Sequence, residues 1–81
     1  MKLLKFYADW CGPCKQQTKL LKDFPIEVQS INVEEEEDLA EKYSIKNLPT
    51  LILLDDEGNE VKRFHGLTQP DKIVTYYEKL S

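Results

Sequence analysis

Two cysteines, Cys11 and Cys14, stand three positions apart in the segment Trp10-Cys11-Gly12-Pro13-Cys14-Lys15, and the 81 residues contain no others. They are too close to staple a long loop, so a purely structural disulfide between them would stabilise little. Redox chemistry and metal binding are the readings that this spacing favours. Zinc takes four ligands. The chain offers two cysteines and the single His65, with no second Cys-x-x-Cys, so carboxylates or a second copy would have to complete a metal site. Thiol–disulfide exchange asks for less. One thiolate attacks a substrate disulfide, and a second thiol resolves the mixed disulfide that forms.

The surrounding elements suit that division of labour. Lys2 to Ala8 is rich in leucine and aromatic residues and runs straight into turn chemistry, which predicts a strand. Gly12 and Pro13 open a helix expected to run to about Lys22, with proline tolerated in the first turn and Pro25 ending the segment. Cys11 then stands at the helix start, where free N–H groups and the dipole favour a thiolate. Cys14 lies one turn along on the same side, close enough to close a disulfide and more shielded. Gly12 lets a partner chain approach, and Pro13 stiffens the turn.

Further along, Ile26 to Val33 predicts a second strand through its β-branched residues. The acidic run Glu34 to Asp38 precedes Leu39, Ala40 and Tyr43, as expected for the solvated start of a second helix. Leu51 to Leu54 is apolar throughout, the pattern of a strand covered on both faces. Asp55 to Asn59 is a turn, and Glu60 to His65 is the hairpin partner. Thr68 to Asp71 starts a last helix with Ile73, Val74, Tyr77 and Leu80 on one face. The order β-α-β-α-β-β-α predicts one α/β domain over residues 1–81, a mixed four-stranded sheet with helices on both faces.

At the cysteine segment the chain resembles the thioredoxin family. Ala8-Asp9-Trp10-Cys11-Gly12-Pro13-Cys14-Lys15 looks like its active-site signature, and Tyr43-Ser44-Ile45-Lys46-Asn47-Leu48-Pro49-Thr50 like its second landmark. The resemblance covers essentially the whole chain and implies a thioredoxin-like fold in its minimal form, the core shared with glutaredoxins. It implies a cis Leu48–Pro49 peptide packed against the disulfide, and a substrate groove formed with Trp10, Leu48, Pro49, Gly66 and Leu67. It implies catalysis by Cys11 and Cys14 without a cofactor or metal. The expected partners are disulfide-containing proteins and a thioredoxin reductase or similar electron donor. Next to an exposed reactive cysteine, Trp10 fits partner contact better than core filling, since tryptophan is enriched at interaction hot spots. His65 is expected at the rim and outside the chemistry, with Tyr76 and Tyr77 as core and surface neighbours.

The chain departs from the family in three places. It begins almost at the active-site strand, without the usual leading strand and helix. The buried aspartate usual six residues before the first cysteine is Lys5 here, and a lysine usual on the neighbouring strand aligns with Ser30. The family's general base therefore does not carry over. Two readings of Lys5 stay open: it lies under the cysteine pair and supports the site, or it snorkels to water at an edge exposed by the missing strand.

Composition bounds the rest. The hydrophobic fraction of 41% and charged fraction of 32% describe a globular chain. A net charge of −4 argues against nucleic acid and anionic membranes as partners. No targeting segment or membrane-length apolar run is visible, so the cytoplasm and a monomer are expected. Two other functions remain open: glutathione-coupled glutaredoxin-like chemistry, and a redox-independent interaction module. The Gly12-Pro13 pair and Trp10 point to thioredoxin-type exchange over the former, and retention of activity without the cysteines would mark the latter.

Overall fold

Alternation decides which way the first strand faces. In β1 (Lys2–Tyr7), Leu4 and Phe6 point to one side of the sheet, and Leu3 and Lys5 point to the other. The computed structural model describes residues 1–79; Leu80, expected on the last helix face, lies outside the described residues. β1 is followed by α1 (Gly12–Leu20), β2 (Glu27–Asn32), α2 (Glu37–Lys42), β3 (Thr50–Leu54), β4 (Glu60–His65) and α3 (Pro70–Glu78). The strands form one sheet in the order β2-β1-β3-β4, with β1 parallel to β2 and the remaining pairs antiparallel. The expected element order and the mixed four-stranded sheet are therefore present.

Two apolar layers cover the sheet. Leu3, Leu51, Leu53 and Phe64 pack with Leu21 at the end of α1 and Ile73 of α3. Leu4, Phe6, Ile31, Ile52 and Leu54 form the opposite layer, under Leu39 and Tyr43 from α2 and its end. Every residue of β3 is buried, as the apolar run Leu51 to Leu54 requires. The hairpin turn is closed by Asp55, whose Oδ1 accepts from the backbone N–H groups of Glu57 and Asn59, each at 2.9 Å. Gly58 there takes φ +87°, a conformation glycine enters without steric penalty.

Several boundaries differ from the sequence reading. α1 ends at Leu20 instead of Lys22, because the chain tightens into turns in which Lys22 N–H bonds Lys19 O and Phe24 N–H bonds Leu21 O. Pro25 lies beyond those turns and does not itself stop the helix. β2 is one residue shorter at each end than the expected Ile26–Val33. β1 stops at Tyr7, since Ala8 O already accepts from Cys11 N–H in the turn leading to the helix. Glu34 to Glu36 precede α2, and only Glu37 and Asp38 occupy its first turn. β1 is also interior to the sheet: the strand left at the edge on that side is β2.

Candidate active site

The site is built where β1 hands over to α1. Cys11 is the N-cap of that helix, with extended backbone angles, and its Sγ accepts the backbone N–H of Cys14 at 3.2 Å. Pro13 fills the first turn, where a missing N–H leaves no bond unmade. Cys11 and Cys14 are joined in a disulfide, with Cα atoms 5.3 Å apart. The pair packs with Ala8 and against Tyr7, Val33 and Leu48.

Both sulfur-bearing residues are covered, Cys11 at 4% and Cys14 at 2% exposure. The attacking cysteine, expected to be exposed, is thus buried in the disulfide form, in a cluster with Ala8 that packs against Leu48. What reaches solvent is Trp10, at 70% exposure. Trp10 and Leu48 line one cleft of about 390 Å³, together with Val33, Ile45, Lys46 and Asn47. A Cβ added at Gly12 would meet nothing within 4 Å, so the space over the helix start is open.

The Leu48–Pro49 peptide is cis, and Pro49 is buried. Pro49 O accepts from Gly66 N–H at 2.8 Å, which ties the loop after β4 to the loop before β3. Gly66 takes φ +77°, a value that L side chains rarely adopt. Leu67 is 42% exposed but lies along a separate shallow groove with Phe64, His65 and Tyr76. Of the expected groove residues, Trp10 and Leu48 thus line the first depression and Leu67 the second. His65 is exposed, as a rim residue should be, and Tyr77 packs on the core while Tyr76 is partly exposed.

Lys5 is 5% exposed, so it does not snorkel into water. Its Nζ donates to Thr18 Oγ1 at 2.6 Å, and Thr18 Oγ1 in turn donates to the backbone carbonyl of Cys14 at 3.1 Å. Burial holds the amine below the ordinary lysine value of 10.5.

A positioning residue that sequence reasoning missed is Gln17. Its side chain is fully buried and meets Thr68 twice, Nε2 donating to the carbonyl at 2.9 Å and Oε1 accepting the N–H at 2.8 Å. The signal was its spacing: Cys14, Gln17 and Leu21 recur at helical intervals on one face. No group of three His, Cys, Asp or Glu side chains among the described residues comes together to hold a metal.

The family model for thioredoxin matches residues 1–79. The chain belongs to the thioredoxin family. It is 40% identical over 77 residues to a thioredoxin of Chlamydia caviae, covering 89% of this chain and 74% of that one. Its fold matches a mutant thioredoxin from Halobacterium salinarum with a TM-score of 0.85 at 34% identity, over 96% of this chain and 72% of the other. Thioredoxin 1 from Thermosipho africanus matches with a TM-score of 0.80 at 28% identity, over 99% of this chain and 93% of the other. This thioredoxin-family chain is a thiol–disulfide oxidoreductase of the protein-disulfide reductase type, with Cys11-Gly12-Pro13-Cys14 as its active-site motif. Disulfide substrates and a reductase follow as partner classes from family membership.

Proposed function

We propose that Cys11 is the attacking thiol and Cys14 the resolving thiol in the reduction of protein disulfides. The observation that carries the assignment is the capping contact: Cys11 Sγ accepts the Cys14 N–H at the positive end of a nine-residue helix. An anion at that sulfur gains both a donor and a favourable dipole; Cys14 shares the first turn, but among the described residues no N–H donates to its sulfur.

The electrons balance in two steps. The Cys11 thiolate attacks one sulfur of the substrate disulfide, and the other substrate sulfur leaves as a thiolate and takes up a proton. Cys14 then loses its proton and attacks Cys11 Sγ; the mixed disulfide breaks and the second substrate thiol departs. The substrate has gained two electrons and two protons, and the protein carries the Cys11–Cys14 disulfide. A dithiol donor of the thioredoxin-reductase class restores the thiols.

Trp10 and Leu48 offer apolar surface to the polypeptide flanking the substrate disulfide, and Pro49, Gly66 and Leu67 frame the approach. The open space at Gly12 admits the substrate backbone. A cytoplasmic monomer fits this reading, because dithiols stay reduced there.

A disulfide-bonded substrate such as insulin tests the roles. Cys14→Ser should accumulate a mixed disulfide through Cys11, seen as a mass adduct that reductant removes. Cys11→Ser should form no adduct and show no turnover. Turnover by Cys11→Ser, or an adduct carried on Cys14 alone in the wild type, would reverse or remove the assignment.

A further inference from the structure

Among the described residues, Lys5 is a covered cation with no anion to answer it. Its flanking neighbours in the sheet register, Ser30 on β2 and Leu51 on β3, carry no charge. Among the described residues no carboxylate lies within ion-pair distance of its Nζ. The contacts it does make are the Thr18 hydroxyl on α1 and the face of the Tyr7 ring, with Nζ 5.5 Å from the ring centroid. The cost of covering an unpaired ammonium is several kcal/mol in a dry interior and less beside an exposed helix flank such as Thr18. Methionine at this position would fill the same layer without that cost, so the charge calls for a role.

The bonding direction points to one. The ammonium donates to Thr18 Oγ1, and the Thr18 hydroxyl hydrogen is thereby committed to Cys14 O. The chain of donors runs one way, from Lys5 through Thr18 to the first turn of the helix that carries both sulfurs. The hydrogen bonds end on the backbone of Cys14, whose sulfur is freed when the disulfide is reduced. The disulfide form carries no negative charge at the pair, whereas reduction creates one.

We propose that Lys5 is a positioning residue that acts through Thr18 to stabilise the reduced, thiolate-bearing state of the Cys11–Cys14 pair. The inference rests on the exchange reading above. The step it biases is balanced: a donor dithiol gives up two electrons and becomes a disulfide, and the Cys11–Cys14 bond breaks. The products at the site are a thiolate at Cys11 and a thiol at Cys14, with the donor's second proton released. A cation linked through Thr18 to the helix that carries the new thiolate favours products over the disulfide, so Lys5 raises the reduction potential and makes the protein a weaker reductant than its uncharged variant.

The test equilibrates wild type, Lys5→Met and Thr18→Val in dithiothreitol buffers of known ratio and follows thiolate absorbance against pH. Lys5→Met should shift the equilibrium about tenfold toward the oxidised protein, equivalent to roughly 30 mV more negative. Its thiolate should appear at higher pH than in the wild type. Thr18→Val keeps the ammonium but cuts the link, and should move both readouts the same way by about threefold. A role confined to packing would change unfolding and leave the potential in place. An equilibrium for Lys5→Met within twofold of wild type overturns the inference, and an unmoved Thr18→Val beside a shifted Lys5→Met overturns the route through Thr18. If the wild type itself fails to equilibrate with dithiothreitol through Cys11 and Cys14, the exchange reading fails instead.

Discussion

Gln17 spans α1 and the loop after β4 with two hydrogen bonds to one residue, so neither its amide nor the Thr68 backbone is left unpaired. Gln17→Met should therefore cost about 1–3 kcal/mol in denaturant unfolding, because both Thr68 groups lose their partner while covered. A change within a few tenths of a kcal/mol would show that water or a shifted loop takes over. The Cys11–Cys14 pair was legible from residue type and spacing, because its chemistry is carried by local geometry. Gln17 was not, since a glutamine reads as solvent-facing until the helix face it shares with Cys14 is seen against Thr68. Lys5 was legible as a departure but not as a contact, for its partner Thr18 comes from a different element.

Among the elements, the β3–β4 hairpin shows how a turn sets a register. The Asp55 carboxylate accepts from the backbone N–H of Asn59 above all, and from that of Glu57, and this holds its carboxyl below the ordinary aspartate value of 3.8. The folded state thus keeps the carboxylate ionised where the unfolded chain has begun to take up a proton. The stabilisation is complete above 3.8 and is lost as pH falls through the lower folded value. Asp55→Asn retains an acceptor oxygen but not the titration, so its stability should fall less steeply with acid below that value. Equal acid slopes in wild type and Asp55→Asn, measured by urea unfolding, would exclude the turn as a contributor. This hairpin was readable in advance, because turn residues bracket an apolar run and an alternating one. The end of α1 was not, as Leu20 and Leu21 continue the apolar pattern while the backbone has already turned.

For the whole molecule, the chain keeps two apolar layers and the cysteine-bearing helix on a sheet of four strands. The element order and sheet type followed from pattern alone. The place of β1 inside the sheet did not, because parallel pairing with β2 depends on the crossover through α1, and an exposed edge at Lys5 was the wrong consequence to draw. The edge on that side is β2, where Glu27 and Ser30 present exposed polar side chains. The disulfide closes a loop with a separation of only three residues. Chain entropy then assigns it roughly 2 kcal/mol at most, so the reduced protein should stay folded and lose no more than about that much in urea unfolding. Collapse of the far-ultraviolet circular dichroism on reduction would mean that the bond, and not the two layers, holds the fold.

The central claim is that Cys11 is the thiol that reacts first and Cys14 the one that waits. Alkylation of the fully reduced protein with limiting iodoacetamide at neutral pH, followed by peptide mass spectrometry, measures this partition directly. The capping contact at Cys11 and the position of Cys14 within α1 predict label on Cys11 with Cys14 nearly unmodified. Preferential labelling of Cys14, or equal labelling of the two, would contradict the account.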